Sequence, residues 1–409
     1  MKNIIKRIVK LFQDPRRLIK KVVNNISDSK IKRLVLRFPS EDDIKKTIEA
    51  CLGRYINKPA FIFPAPSCPW GYLFQRPQQI ASTLARCGFP VIYCVDVQSY
   101  CEPDWSVRGL KQLHPNMFLF NDGNYGNLLS KLNVPSVIWQ YWPLQNKSIR
   151  NLVSNCVYVY DCIDDLSTFQ QYDDLLIDHE ESLHRANVVL ATSDLIFKKI
   201  YDSRPDVILV PNGVCYEDFG RPERVFWPKL ERLRNKSKVL VGYYGAIAEW
   251  MDFDLIYYCA KQFPEWNFLL VGQVYPNVTI EQKELFNTNN IEIWPRQDYD
   301  RLPYLLSKFD ITIVPFKINQ ITMCTSPVKI FEYMAGGKPV VSTDLPECRK
   351  YTSVLIAKSK EEFAQRLEDS LKLKNDESFI NELFKEARNN TWEARVSTVL
   401  CALKSKGLI

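Results

Sequence analysis

Apolar and polar positions along the 409 residues fall into three textures. At the start, Ile4, Ile5, Ile8, Leu11 and Phe12 recur at helical spacing, with Lys2, Lys6, Arg7 and Lys10 on the opposite side. After Pro15 the pattern resumes with Leu18, Ile19, Val22, Val23 and Ile26 opposite Arg17, Lys20 and Lys21. From about Lys58 the chain changes to short apolar runs that end at Gly, Pro or Asp, separated by amphipathic stretches. AFIF, VIYCV, SVIW, VYVY, VVLAT and VILV form a first set; VLVGYY, FLLV, IEIW, ITIV, PVV and SVLI form a second. Beyond Lys358 the periodicity is helical and ends in Thr391–Leu403, where Trp392, Val396, Val399 and Leu400 share a face.

Continuous β-branched and aromatic runs that alternate with helices predict parallel strands covered on both faces. Two sets of them predict an α/β protein with two Rossmann-like domains, which suits a chain longer than one core usually organises. The expected boundaries are a basic amphipathic helical extension over 1–50, a first domain over 59–220 completed by a C-terminal helix over 391–405, and a second domain over 236–385. The break falls in the charged stretch RPERVFWPKLERLRNKSK, residues 221–238.

Charge refines this division. The net +7 is concentrated at the start: residues 1–37 hold 12 Lys and Arg against Asp14 and Asp28, while the remainder holds 42 basic and 45 acidic residues. A near-neutral body argues against nucleic acid as a partner. A basic amphipathic helix instead suits an anionic membrane surface, each Lys or Arg adding about 1 kcal/mol. No apolar run reaches the ~18 residues that span a bilayer, and the start lacks the apolar core and cleavage site of a secretory signal. The 12 cysteines form no Cys-x-x-Cys pair and read as buried thiols of a reducing compartment. The expected location is therefore cytoplasmic, peripheral on the inner face of the membrane.

Ligands of open parallel sheets bind beyond the carboxyl ends of strands. Five such loops stand out. In TSPVKIFEYMAGGKPVVS, residues 325–342, Ser326 is read as an N-cap, Pro327 as the first helical residue, and Gly336–Gly337 as the end. Its free amides and positive dipole end make an anion site, and Lys329 in the first turn makes sense beside an anion. A capped helix with a solvated lysine reads the same residues. In GYYGAIAEWMDFD, residues 242–254, Gly245 permits close backbone approach. VPNGV, residues 210–214, carries a turn signal. In PAPSCPWGYLFQRPQQIASTLA, residues 64–85, Pro77 opens a helix and Trp70, Gly71, Tyr72 and Arg76 offer an aromatic, positively charged loop for sugar rings or a phosphate, with core packing of Trp70 as the alternative. In YDCIDDLSTF, residues 160–169, Asp161, Asp164 and Asp165 would repel one another unless a polar ligand such as a sugar lies there.

With these residues assembled, the chain resembles the GT-B glycosyltransferases, and among them the retaining family numbered 4. The resemblance spans roughly residues 59–405. It rests on Ser326-Pro327-Val328-Lys329-Ile330-Phe331-Glu332-Tyr333-Met334-Ala335 followed by Gly337-Lys338-Pro339-Val340-Val341. It rests also on Pro211-Asn212-Gly213-Val214 with Phe219, and on Thr391-Trp392-Glu393-Ala394-Arg395. Arg76-Pro77-Gln78-Gln79 and Tyr160-Asp161-x-x-Asp164-Asp165 resemble a bacterial subgroup that builds cell-surface polysaccharides. The resemblance implies a GT-B fold with the two domains facing across a cleft. It gives Glu332 the donor ribose, the amides around the Ser326-Pro327-Val328 stretch, helped by Lys329, the diphosphate, Gly245 the phosphate loop and Trp294–Gln297, including Arg296, the base. Asp161 falls near a donor-sugar position; Trp70, Gly71, Tyr72, Arg76 and Asp164, read from their loops above, are the candidates for the acceptor or the cleft. The sequence departs from the family twice: Cys324 stands where a second Glu is common, and Ala246 and Asp252 stand where an Arg and Lys pair often is.

The expected activity is transfer with retention of a sugar from a nucleotide-sugar to a glycan acceptor, lipid-linked, in surface-polysaccharide synthesis. Lys329 and the helix start would stabilise the leaving diphosphate, Asp161 and Glu332 would complete the catalytic set, and neither cofactor nor metal is expected. Asp252-Phe253-Asp254 matches a metal-using motif that belongs to another fold. A sugar-nucleotide epimerase of the same fold is the first alternative; it would need positioned acid and base groups, and His179 and His184 read as surface residues. A catalytically silent membrane scaffold is the second.

Overall fold

A computed structural model of the chain describes residues 34–55, 57–71, 74–98, 103–123, 128–131, 135–149, 156–166, 174–278 and 288–409. The basic part of the extension, residues 1–33, and Tyr72 lie outside the described residues. The chain forms two compact units, one of residues 1–69, 84–139 and 144–157, the other of residues 70–83, 140–143 and 158–409.

The first unit is built on β1 (Ala60–Phe63), β2 (Val91–Cys94), β3 (Gly109–His114), β4 (Met117–Asn121) and β5 (Ser136–Gln140). They lie in the order β3-β4-β2-β1-β5. All are parallel except β3, which runs antiparallel to β4. The β3–β4 pair was not among the predicted strands. MFLFN is apolar and buried throughout, but its partner GLKQLH keeps Lys111 and Gln112 exposed and so gives no continuous apolar run. Helix Glu41–Leu52, within the span assigned to the basic extension, begins on three acids and is capped by Ser40. It buries Ile44, Ile48 and Leu52, with Ile44 against Gly109, so this stretch is part of the folded unit.

The second unit holds three strands of the first predicted set, β6 (Cys156–Cys162), β7 (Val188–Ala191) and β8 (Ile208–Leu209), paired in parallel in that order. It also holds the whole second set: β9 (Val239–Tyr244), β10 (Trp266–Val271), β11 (Ile291–Trp294), β12 (Ile311–Val314), β13 (Val340–Thr343) and β14 (Val354–Ala357). These six are parallel in the order β11-β10-β9-β12-β13-β14. The chain winds outward from β9 to β11 and then returns to β12 on the other side of β9. That reversal opens a crevice beyond the carboxyl ends of β9 and β12. The charged stretch 221–238 contains helix Pro228–Lys236, whose Leu230 and Leu233 enter the core of this sheet. The C-terminal helix Trp392–Ser405 buries Trp392, Val396, Val399 and Leu403, so Leu403 takes the place expected of Leu400.

Candidate functional site

The site is built around helix Val328–Ala335, driven into the core by Ile330, Phe331, Tyr333 and Met334. Pro327 is its N-cap, one residue later than expected, and provides no side-chain cap. Ser326 is not available for that role. Its Oγ accepts from the backbone N–H of Asn212 at 3.3 Å, and its carbonyl accepts from Asn212 Nδ2 at 2.6 Å. The amides of the first turn therefore keep the partner-seeking character of an uncapped helix start.

Two strand-end features meet this helix at the crevice between β9 and β12. Gly245, directly after β9, has φ +143°, and a Cβ there would lie 2.8 Å from Lys329 Cε and 3.1 Å from its Nζ. Only glycine adopts this backbone freely and lets the ammonium approach so closely. A Cβ at Gly272, which the sequence reading missed, would lie 1.7 Å from the Gly245 carbonyl oxygen, so the loop is held by a second close approach. Lys329 Nζ sits 5.4 Å from the ring centres of both Tyr243 and Phe316, the latter just beyond β12. Among the described residues it makes no ion pair. Burial lowers its pKa, opposed by Glu332 one helical turn away.

Glu332 is 6% exposed. Burial raises its pKa, while the Tyr244 hydroxyl and the Lys329 charge favour the carboxylate and Asp218 opposes it. Tyr244 packs edge-on to Tyr333 at 5.0 Å. Tyr299 donates to Asp218 Oδ2 at 3.1 Å and lies 5.1 Å from Phe74 and 5.8 Å from Phe219, ring to ring. Tyr244, Tyr299 and Asp218 complete the surroundings of Glu332. Nothing local in the sequence marks them, because they come from three separate elements.

The three acids after Tyr160 have three different fates. Asp161, 1% exposed, takes a two-point ion pair from Arg76, 4% exposed, with Nε to Oδ2 at 2.8 Å and Nη2 to Oδ1 at 2.9 Å. Arg76 is thus a buried counter-ion, not a cation of an open loop. Asp165 pairs with Lys199 at 2.6 Å and accepts from the Cys324 thiol at 3.5 Å, an arrangement that pushes that thiol up to about 11, chiefly through burial. Asp164 stays open to water on the wall of a cavity of about 230 Å³ lined also by Trp142, Tyr160, His179 and Lys199. Desolvation against that wall, with Asp165 beside it, raises its carboxyl above the usual range. His179 is not a plain surface residue: its Nδ1 lies 2.7 Å from the Tyr160 hydroxyl.

Residues 241–372 match the sequence model of the family Glycosyl transferases group 1. The chain is 34% identical over 173 residues to a Bacillus subtilis (strain 168) protein provisionally named the teichuronic acid biosynthesis glycosyltransferase TuaH. That match covers 41% of this chain and 43% of the relative's length. Anabaena HepE, solved in complex with UDP, superposes with a TM-score of 0.60 at 15% identity, over 85% of this chain and 100% of its own. Thermosynechococcus elongatus sucrose-phosphate synthase gives 0.59 at 16%, over 85% and 99%. Residues 241–372 are thus similar to the group 1 glycosyl transferases, and the fold is GT-B.

Within the matched segment lie Gly245, Arg296, Ser326, Pro327, Val328, Lys329 and Glu332. Gly245, Lys329 and Glu332 come together, and Ser326 and Pro327 set the helix start beside them. Arg296 instead pairs with Asp298 at 3.7 Å. Trp294, 2% exposed, donates to Glu292 at 3.0 Å and is covered by Trp227 and by Lys229, whose Nζ is 4.2 Å from its ring. Outside the segment, Trp70 packs edge-on to Phe74 at 5.6 Å, and Gly71 turns at φ +78°. A cavity of about 620 Å³ opens elsewhere, between helices Phe253–Gln262 and Lys360–Leu373, and shares only Phe316 with the surroundings of Lys329. Neither of its helix starts carries Gly245 or Glu332, so its size does not make it the centre of the chemistry.

Proposed function

We propose that the chain transfers a glycosyl group from a nucleoside-diphosphate sugar to a glycan acceptor in cell-surface polysaccharide synthesis. The observation that carries this reading is the Lys329 ammonium, pressed against the Gly245 backbone without an ion-pair partner among the described residues, one turn from the buried Glu332. A cation desolvated in this way is stabilised by an incoming diphosphate, and the uncapped helix start adds backbone donors to the same charge. When the glycosidic bond breaks, negative charge builds on the leaving phosphate, and pre-placed donors stabilise it there more than in the ground state. The Glu332 carboxylate is suited to accept hydrogen bonds from the ribose hydroxyls.

The finer elements of the reading are family 4 membership, retention of configuration, a lipid-linked acceptor and docking of residues 1–37 on the inner face of the membrane. The diphosphate charge is met by Lys329 and amides, so no metal is required. Because HepE was solved with UDP, UDP-sugars are the first donors to try. In a screen of nucleotide sugars, turnover should survive EDTA and fall at least about a hundredfold in Glu332→Ala. Wild-type rates in that variant would overturn the assignment.

A further inference from the structure

We propose that Asn212 is a positioning residue of this diphosphate site, its amide aimed by the buried Arg76–Asp161 pair. The proposal rests on the reading above. Every edge of Asn212 is used. Its Oδ1 accepts from Arg76 Nη1 at 3.2 Å, its Nδ2 donates to the Ser326 carbonyl at 2.6 Å, its N–H donates to Ser326 Oγ at 3.3 Å, and its carbonyl accepts from Arg395 Nε at 3.1 Å. A guanidinium can only donate, so the amide oxygen must face Arg76 and the amide nitrogen is left to face Ser326. The same Arg76 Nη1 also donates to the Pro211 carbonyl at 3.2 Å, so the orientation of the whole turn depends on where the guanidinium stands. Asp161 fixes that place by gripping two of its nitrogens.

The consequence reaches the helix start. Ser326 immediately precedes the cap, and its hydroxyl oxygen and its carbonyl are both tied to Asn212, so the direction in which the first amides of Val328–Ala335 point is set from Asn212 rather than by a local cap. Two ions buried to this degree are a costly way to hold a turn, and an apolar pair would pack as well. What an apolar pair cannot do is select one face of an amide. Asn212 therefore acts through Ser326 and is not itself catalytic.

Asn212→Asp separates positioning from packing. The variant keeps size and improves the contact with Arg76, but it places an acceptor against the Ser326 carbonyl. Hydrogen exchange by mass spectrometry on the ligand-free full chain should show faster exchange confined to the peptide over 325–335, with the thermal midpoint little changed. Calorimetry with UDP as the probe should show affinity down about tenfold or more. Arg76→Lys, which cannot hold two Asp161 oxygens and Asn212 together, should shift both readouts the same way by less. Unchanged exchange over 325–335 would refute the positioning role whether or not UDP binds. Altered exchange with unaltered UDP affinity would refute its link to the diphosphate. A wild-type protein that binds no nucleotide while the exchange change persists would sink the function reading and leave Asn212 as a setter of the helix start alone.

Discussion

Glu332 and Lys329 show at the scale of single residues how burial turns ordinary side chains into a site. A buried carboxyl and a half-buried ammonium share one turn of helix, and each shifts toward its neutral form because the surrounding protein solvates charge poorly. The shift has a consequence for stability. A carboxyl whose folded pKa lies above its unfolded value holds a proton that the unfolded chain has released, so the folded state loses stability as pH rises through that interval. The unfolded reference is about 4.3. Glu332→Gln does not titrate, and its thermal midpoint should rise relative to wild type as pH increases from about 4 toward neutrality. A difference that stays constant over that range would show that burial does not hold the Glu332 proton.

Between elements, the decisive features are close approaches. Gly213 illustrates them. A Cβ there would lie 2.8 Å from the Asn390 carbonyl oxygen and 3.1 Å from the Trp392 nitrogen, both backbone atoms that cannot swing aside. The seam is closed by hydrogen bonds from Val214 N–H to Asn390 at 3.0 Å and from Trp392 N–H to Val214 at 3.1 Å. Gly213→Ala should therefore cost about 1–3 kcal/mol and lower the melting temperature by several degrees. A midpoint equal to wild type would mean that the C-terminal helix gives way there at little cost. The sequence marked 210–214 as a turn but not as the rail on which a helix some 180 positions later is seated; that signal is tertiary, since Asn-Gly looks the same in any turn.

For the whole molecule, the sharpest test concerns the basic start of the chain, whose residues 1–33 lie outside the described ones. Deleting residues 1–37 should abolish flotation with vesicles containing anionic lipid and leave donor turnover in solution intact, because the deletion removes a net charge of +10 and none of the site residues named above. Flotation that persists after the deletion would place the membrane contact elsewhere. By itself the sequence determined the α/β class, both strand sets except β3 and β4, and the motif from Ser326 to Ala335, because buried parallel strands and a helix after a strand are written in local apolar runs and turn residues. Only the tertiary structure decided that Arg76 belongs to Asp161 and not to a ligand, that Ser326 answers to Asn212 instead of capping its own helix, and that Gly245 and Lys329 touch. Those partners are distant along the chain, and polar complementarity at such separations leaves no periodicity in a single sequence. It is settled by which strands become neighbours and by the need of each buried charge for a counterpart.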